Sequence, residues 1–113
     1  MIYQLNQYEI LIFQSEDKKD FVATILEMPT ISGVGETREK ALQELQIAFE
    51  GAQEIYREQE KDMPPAIKLR KYSGQFRLRI PRELHYRLTR KAMIDNISLN
   101  QEAVYCLTKG LNI

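Results

Sequence analysis

The chain has 113 residues, with 16 basic and 16 acidic side chains. That is enough for one ordinary domain or two very small ones, and very small domains bury too little surface to stand without a partner. One cysteine, Cys106, and one histidine, His85, exclude an intrachain disulfide framework and leave too few soft ligands for a zinc site within one chain. No apolar run approaches the roughly 18 residues of a membrane span, and no basic-then-apolar leader precedes the first polar residues, so a cytoplasmic location is expected.

The neutral total hides an asymmetry. Residues 1–66 carry 6 Lys and Arg against 13 Asp and Glu, a net −7, while residues 67–113 carry 10 against 3, a net +7. A basic segment joined to an acidic one points to a polyanion-binding module attached to something else, against the plainer reading of a solvated charged surface.

The first apolar runs, Tyr8 to Phe13 and Phe21 to Leu26, are separated by polar residues that suit an exposed turn, and together they predict a β-hairpin. Residues 2–6 are read as an extension of the first strand. Pro29 is expected to break the second, leaving Ile31 to Val34 as a short edge strand or irregular crossing before Gly35, Glu36 and Thr37 end the sheet. The period then becomes helical. Ala41, Leu42, Leu45, Ala48, Phe49, Ala52 and either Ile55 or Tyr56 form one apolar stripe on a helix of about six turns, with Thr37 as its N-cap. Met63, Pro64, Pro65 and Ala66 end that helix, and the charge changes sign just beyond them, which predicts an N-terminal α+β domain over 1–66 and a second domain over 67–113.

The second domain begins with a six-residue alternation. In an extended chain Gln75, Arg77 and Arg79 share one face while Phe76, Leu78 and Ile80 share the other. Pro81 is placed at the first helical position of a helix carrying Leu84, Leu88 and Ala92 and closing near Asp95, with Asn96 as a left-handed terminator. Ser98 and Gln101 have capping-box spacing, and a last helix presents Ala103, Val104, Leu107 and Leu111. Cys106 is read as a small buried hydrophobe on that helix. The core candidates Phe76, Leu78, Ile80, Leu84, Leu88, Leu99, Val104 and Leu107 are too few for one chain and sufficient for two intertwined copies.

The run Gln75-Phe-Arg-Leu-Arg-Ile-Pro-Arg-Glu-Leu84, followed by Ser98-Leu-Asn100, resembles the ribbon-helix-helix repressors of the Arc and MetJ type. That resemblance implies a homodimer whose paired strands enter the major groove of operator DNA. Gln75, Arg77 and Arg79 would then meet base edges, and Ser98, Leu99 and Asn100 a phosphate at the start of the last helix. Solvated arginines guarding a strand edge and ordinary helix capping are the plainer readings of the same residues.

The whole order of parts, with Glu16-Asp17, Phe21-Val-Ala23, Glu27-Met-Pro29, Gly35-Glu-Thr37, Ala41-Leu42, Ala48 and the doubled proline, is similar to the HicB antitoxin family. This likeness implies a partial RNase H-like N-terminal fold that binds and blocks a small RNA-cleaving toxin of the HicA type. The basic domain would repress the operon encoding both. No cofactor, metal or catalysis is expected from the residues themselves, and the sequence leaves open whether dimers join into a tetramer through the N-terminal domain. Two other readings compete: a solitary HicB-like regulator without a toxin, and a metal-dependent nuclease of RNase H type. The nuclease needs clustered carboxylates, whereas Glu9, Asp17, Glu27 and Glu36 fall at strand ends and turns.

Overall fold

The computed structural model describes residues 3–113 and shows an α+β chain that divides into two compact units, one ending at Tyr72 and the other running from Ser73 to Ile113. The first holds strands β1 (Ile10–Gln14), β2 (Phe21–Ile25) and β3 (Met28–Gly35) and helix α1 (Arg38–Glu58). The strands form an antiparallel sheet in the order β1-β2-β3. Paired residues share a face, so Ile12, Ala23 and Gly33 stand in one row, and Phe13, Val22 and Val34 in the next row on the opposite face.

Helix α1 covers the Ala23 face. Thr37 caps it, its Oγ1 accepting from the Lys40 amide at 3.1 Å, and Ala41, Leu45 and Phe49 are buried against Ala23, Ile25 and Met28. The ring of Phe49 meets Tyr8 edge-on, with centroids 5.8 Å apart. Tyr56 packs against this core, whereas Ile55 is exposed. Gly33 lets the helix sit directly on the sheet. A Cβ there would run into the Leu45 amide nitrogen and lie 2.5 Å from the Ala41 carbonyl oxygen.

Three expectations need correction in this unit. Pro29 does not end a strand; it lies inside β3, eight residues long. As an outer strand, β3 tolerates a residue that cannot donate to a ladder. Leu5–Gln7 is a single 3-10 turn rather than an extension of β1, with Leu5 buried in the core; residue 2 of that expectation lies outside the described residues. Residues 67–72 belong to the first unit, for the following reasons. The segment after α1 is strapped down: Met63 and Ala66 are buried. The Tyr8 hydroxyl donates to the Pro64 carbonyl at 2.8 Å, and the Ile67 amide to the Glu27 carboxylate at 2.9 Å. The Lys68 ammonium reaches the Asn6 carbonyl at 2.9 Å.

The second unit has helices α2 (Arg82–Asp95) and α3 (Leu99–Gly110). Asn96 ends α2 in the left-handed region, φ 56° and ψ 45°, and the Ile97 amide bonds back to the Ala92 carbonyl at 3.0 Å. Pro81 stands one place earlier than expected, as the N-cap of α2, and its carbonyl accepts from the His85 amide at 3.1 Å. Residues 75–80 form neither helix nor ladder within the single chain.

Candidate nucleic-acid interface

A sharp turn precedes the alternating segment. Gly74 takes φ +81°, and the Ser73 hydroxyl bridges it, accepting from the Gln75 amide at 3.0 Å and donating to the Gln75 carbonyl at 3.2 Å. Beyond it Gln75, Arg77 and Arg79 are all exposed. Nearby charges are partly committed: Arg87 pairs with Glu83 at 3.0 Å, and Lys91 with Asp95 at 2.5 Å. Among the described residues, no carboxylate lies within ion-pair distance of Arg77 or Arg79. Two unpaired guanidiniums with an amide on the same alternating register are donors without acceptors, which is the chemistry that base edges or phosphates complete.

Ser98, Leu99 and Asn100 form the start of α3. The Ser98 Oγ accepts from the Gln101 amide at 3.0 Å, and the Gln101 side chain accepts from the Ser98 amide at 2.9 Å, closing the capping box. The Glu102 amide is taken by the Ser98 carbonyl at 3.0 Å. The amides of Leu99 and Asn100 are the two of the first turn that capping does not use, and they sit at the positive end of the helix dipole. A groove of about 910 Å³ runs between this helix start and the alternating segment, floored by Leu78, Ile80, Leu88, Leu99 and Ala103 and edged by Arg79, Arg82, His85 and Asn100. His85 lines this groove together with Arg79 and Arg82.

The apolar side chains of this unit are the feature that sequence reasoning anticipated only as a shortage. Of the eight core candidates, Ile80 and Leu88 are half-buried and the other six are exposed, Phe76 at 77% and Leu78 at 59%. The buried residues are Ala92 and, unexpectedly, Glu102. Cys106 is exposed rather than buried. Its thiol donates to Glu102 Oε1 at 3.6 Å, and desolvation together with that carboxylate pushes its pKa up, so it is a protonated thiol at neutral pH.

Two of the four carboxylates weighed for nuclease chemistry, Asp17 and Glu27, have other occupations. Asp17 folds the β1–β2 turn, accepting from the Ser15 hydroxyl at 2.5 Å and the Lys19 amide at 3.0 Å, which lowers its pKa. Glu27 accepts from the amides of Glu9 at 3.1 Å and Ile67 at 2.9 Å. Burial pushes Glu27 upward, but these amides, with Arg70 nearby, outweigh it and hold its pKa below the ordinary carboxylate value. Among the described residues no three His, Cys, Asp or Glu side chains converge on one point. No helix there is long and apolar enough to cross a membrane.

What sequence reasoning missed lies in the first unit: a sheet face carrying Leu11, Phe13 and Val34 that α1 does not cover, each at least 45% exposed. Alternation in Tyr8 to Phe13 could not reveal it, because both faces of that strand are apolar.

The HicB family model matches residues 57–107, from the last turn of α1 through most of α3, and this supports the HicB family for the chain. No curated protein matches it.

Proposed function

We propose that this protein is an antitoxin of the HicB type: a homodimer that binds operator DNA through Gln75, Arg77 and Arg79 and neutralises a HicA-like RNA-cleaving toxin through its acidic first unit. One observation carries the reading. A two-helix unit that buries only Ala92 and Glu102 while exposing Phe76, Leu78, Leu84, Leu99, Val104 and Leu107 needs a second copy for its core, and the alternating segment needs a second copy for its ladder. Pairing two such segments antiparallel satisfies both. Phe76, Leu78 and Ile80 then face the helices of the joint ribbon-helix-helix core, and Gln75, Arg77 and Arg79 project from the ribbon. Arg can donate two bonds to guanine and Gln can pair with adenine, so the projecting row is suited to reading sequence, while the free amides of Leu99 and Asn100 are suited to anchoring a phosphate.

The toxin half of the proposal is supported by charge and by the uncovered sheet face. A basic, RNA-binding partner is steered toward a segment with 13 carboxylates against 6 cations, and Leu11, Phe13 and Val34 offer it apolar area. The protein acts here by binding alone.

Mobility shifts with DNA from upstream of its own gene test the DNA half. Arg77→Ala and Arg79→Ala are each expected to cost about 1–3 kcal/mol of specific binding with the helical content intact. Affinity should fall steeply as salt rises, because phosphate contacts release counterions. Unchanged specificity in the double variant would refute the ribbon. A basic, RNA-cleaving protein encoded beside this one and held inactive in its complex supports the toxin half; a gene without such a neighbour favours the solitary regulator. Magnesium-dependent RNA cleavage by the pure chain would restore the nuclease.

A further inference from the structure

The two outer strands of the sheet are unlike. β3 carries Pro29, two glycines that face α1, and a register shift in its pairing with β2, features that blunt an edge against further pairing. β1 carries none of these. It reads Ile-Leu-Ile-Phe-Gln with no charge, proline or glycine, and Leu11, Ile12 and Phe13 are 45%, 37% and 50% exposed. Ile12 points to the helix side, so its exposure means that α1, which packs over β2 and β3, leaves β1 open on that side as well.

The backbone of β1 is also available. The Glu9 carbonyl accepts from the Leu26 amide at 2.8 Å and the Ser15 amide donates to the Asp20 carbonyl at 2.8 Å. Antiparallel bonding alternates residue by residue, so the odd-numbered residues of β1 bond to β2. The amides and carbonyls of Ile10, Ile12 and Gln14 therefore point out of the sheet in one row.

We propose that this edge is an interface between copies of the chain, β1 pairing antiparallel with β1 of a second copy about a two-fold axis at Ile12. The register is self-complementary. Ile12 meets Ile12, Ile10 meets Gln14 and Leu11 meets Phe13, so every outward backbone group finds an outward partner. No like charges are opposed, because the strand has none, and Glu9 falls opposite Ser15. The offset of α1 toward β3 keeps the two helices apart while the Ile12 side chains close on each other. Pairing would join the sheets of two copies into one, on an interface separate from the proposed ribbon.

Hydrogen exchange on the full chain, followed residue by residue, decides this. The amides of Ile10, Ile12 and Gln14 are expected to exchange slowly, on the minutes-to-hours scale of ladder amides. In Ile12→Pro, which removes an outward N–H without touching a β2 bond, Ile10 and Gln14 should exchange freely and the particle mass by light scattering should fall by half. The fall is from four chains to two if the ribbon pairing also holds, and from two to one if it does not, so the two readings fail separately. Free exchange in the unmodified chain overturns the proposal and does not depend on the variant folding. So does protection that survives Ile12→Pro, or protection that arises only when a different protein is added, which would assign the edge to that partner.

Discussion

The first unit closes a core within one chain, with Ile25, Leu45 and Phe49 each essentially inaccessible, whereas the second leaves its largest apolar side chains in solvent. The difference follows from layer number. A sheet with a helix across it encloses the side chains between them, but two helices joined by a short turn enclose little more than Ala92 and the stem of Glu102. The first unit is therefore stabilised within its own chain, whereas the second would draw its stability from the proposed pairing.

The sharpest way to break the contrast is at its strongest point. Phe49→Ala removes a ring that is 1% exposed and packed edge-on against Tyr8, and should cost the first unit about 3–5 kcal/mol in chemical denaturation. The transition of the second unit should stay where it was. A joint shift of both would show that the units are energetically one.

A smaller effect tests the strap. Glu27→Ala leaves the Glu9 and Ile67 amides without their carboxylate and should cost the first unit about 2 kcal/mol. The pH dependence has a definite sign. The folded pKa lies below the ordinary value, so this stabilisation is complete above the unfolded carboxylate value of about 4.3 and is lost as pH falls through the folded pKa. Glu27→Gln should flatten that part of the acid limb, and an unaltered limb would show that the clasp contributes nothing.

Dilution tests the other side of the contrast. If the second unit is stabilised by pairing, each tenfold dilution should lower its stability by about 1.4 kcal/mol. Calorimetry over two decades of concentration would show its transition moving, and a fixed transition of the second unit would count against the intertwined core.

How much of this was legible in the sequence depended on the range of the interaction. Thr37, Asn96 and the Ser98–Gln101 box were readable because a cap is made between residues three or four apart. Pro29 was not, because its harm depends on whether the strand is central or outer, and that is settled by pairing rather than by local composition. The strap was invisible for the same reason: Tyr8 with Pro64 and Glu27 with Ile67 are 56 and 40 residues apart, and a doubled proline beside a change of charge sign looks like a linker until those bonds are seen. The exposed core of the second unit was legible as a deficit, by counting its apolar residues. Its alternating segment reads as a strand in the sequence, whereas residues 75–80 form no ladder within the single chain.

The smallest effect separates stability from recognition. Thr37 and Ser98 cap their helices with nearly identical geometry, Thr37 Oγ1 at 3.1 Å from the Lys40 amide and Ser98 Oγ at 3.0 Å from the Gln101 amide. Alanine at either position should cost about 1 kcal/mol of its own unit's stability. Only at Ser98 does the cap also orient the free amides of Leu99 and Asn100 that the proposed phosphate contact uses. Ser98→Ala should therefore weaken operator binding under conditions where both variants are fully folded, and Thr37→Ala should not. The loss should be uniform across operator sequences, since a phosphate carries no base identity, in contrast to the sequence-dependent loss expected for Arg77→Ala. Equal DNA affinity in the two cap variants would reduce Ser98 to a helix cap and leave specificity and anchoring alike to the arginine row.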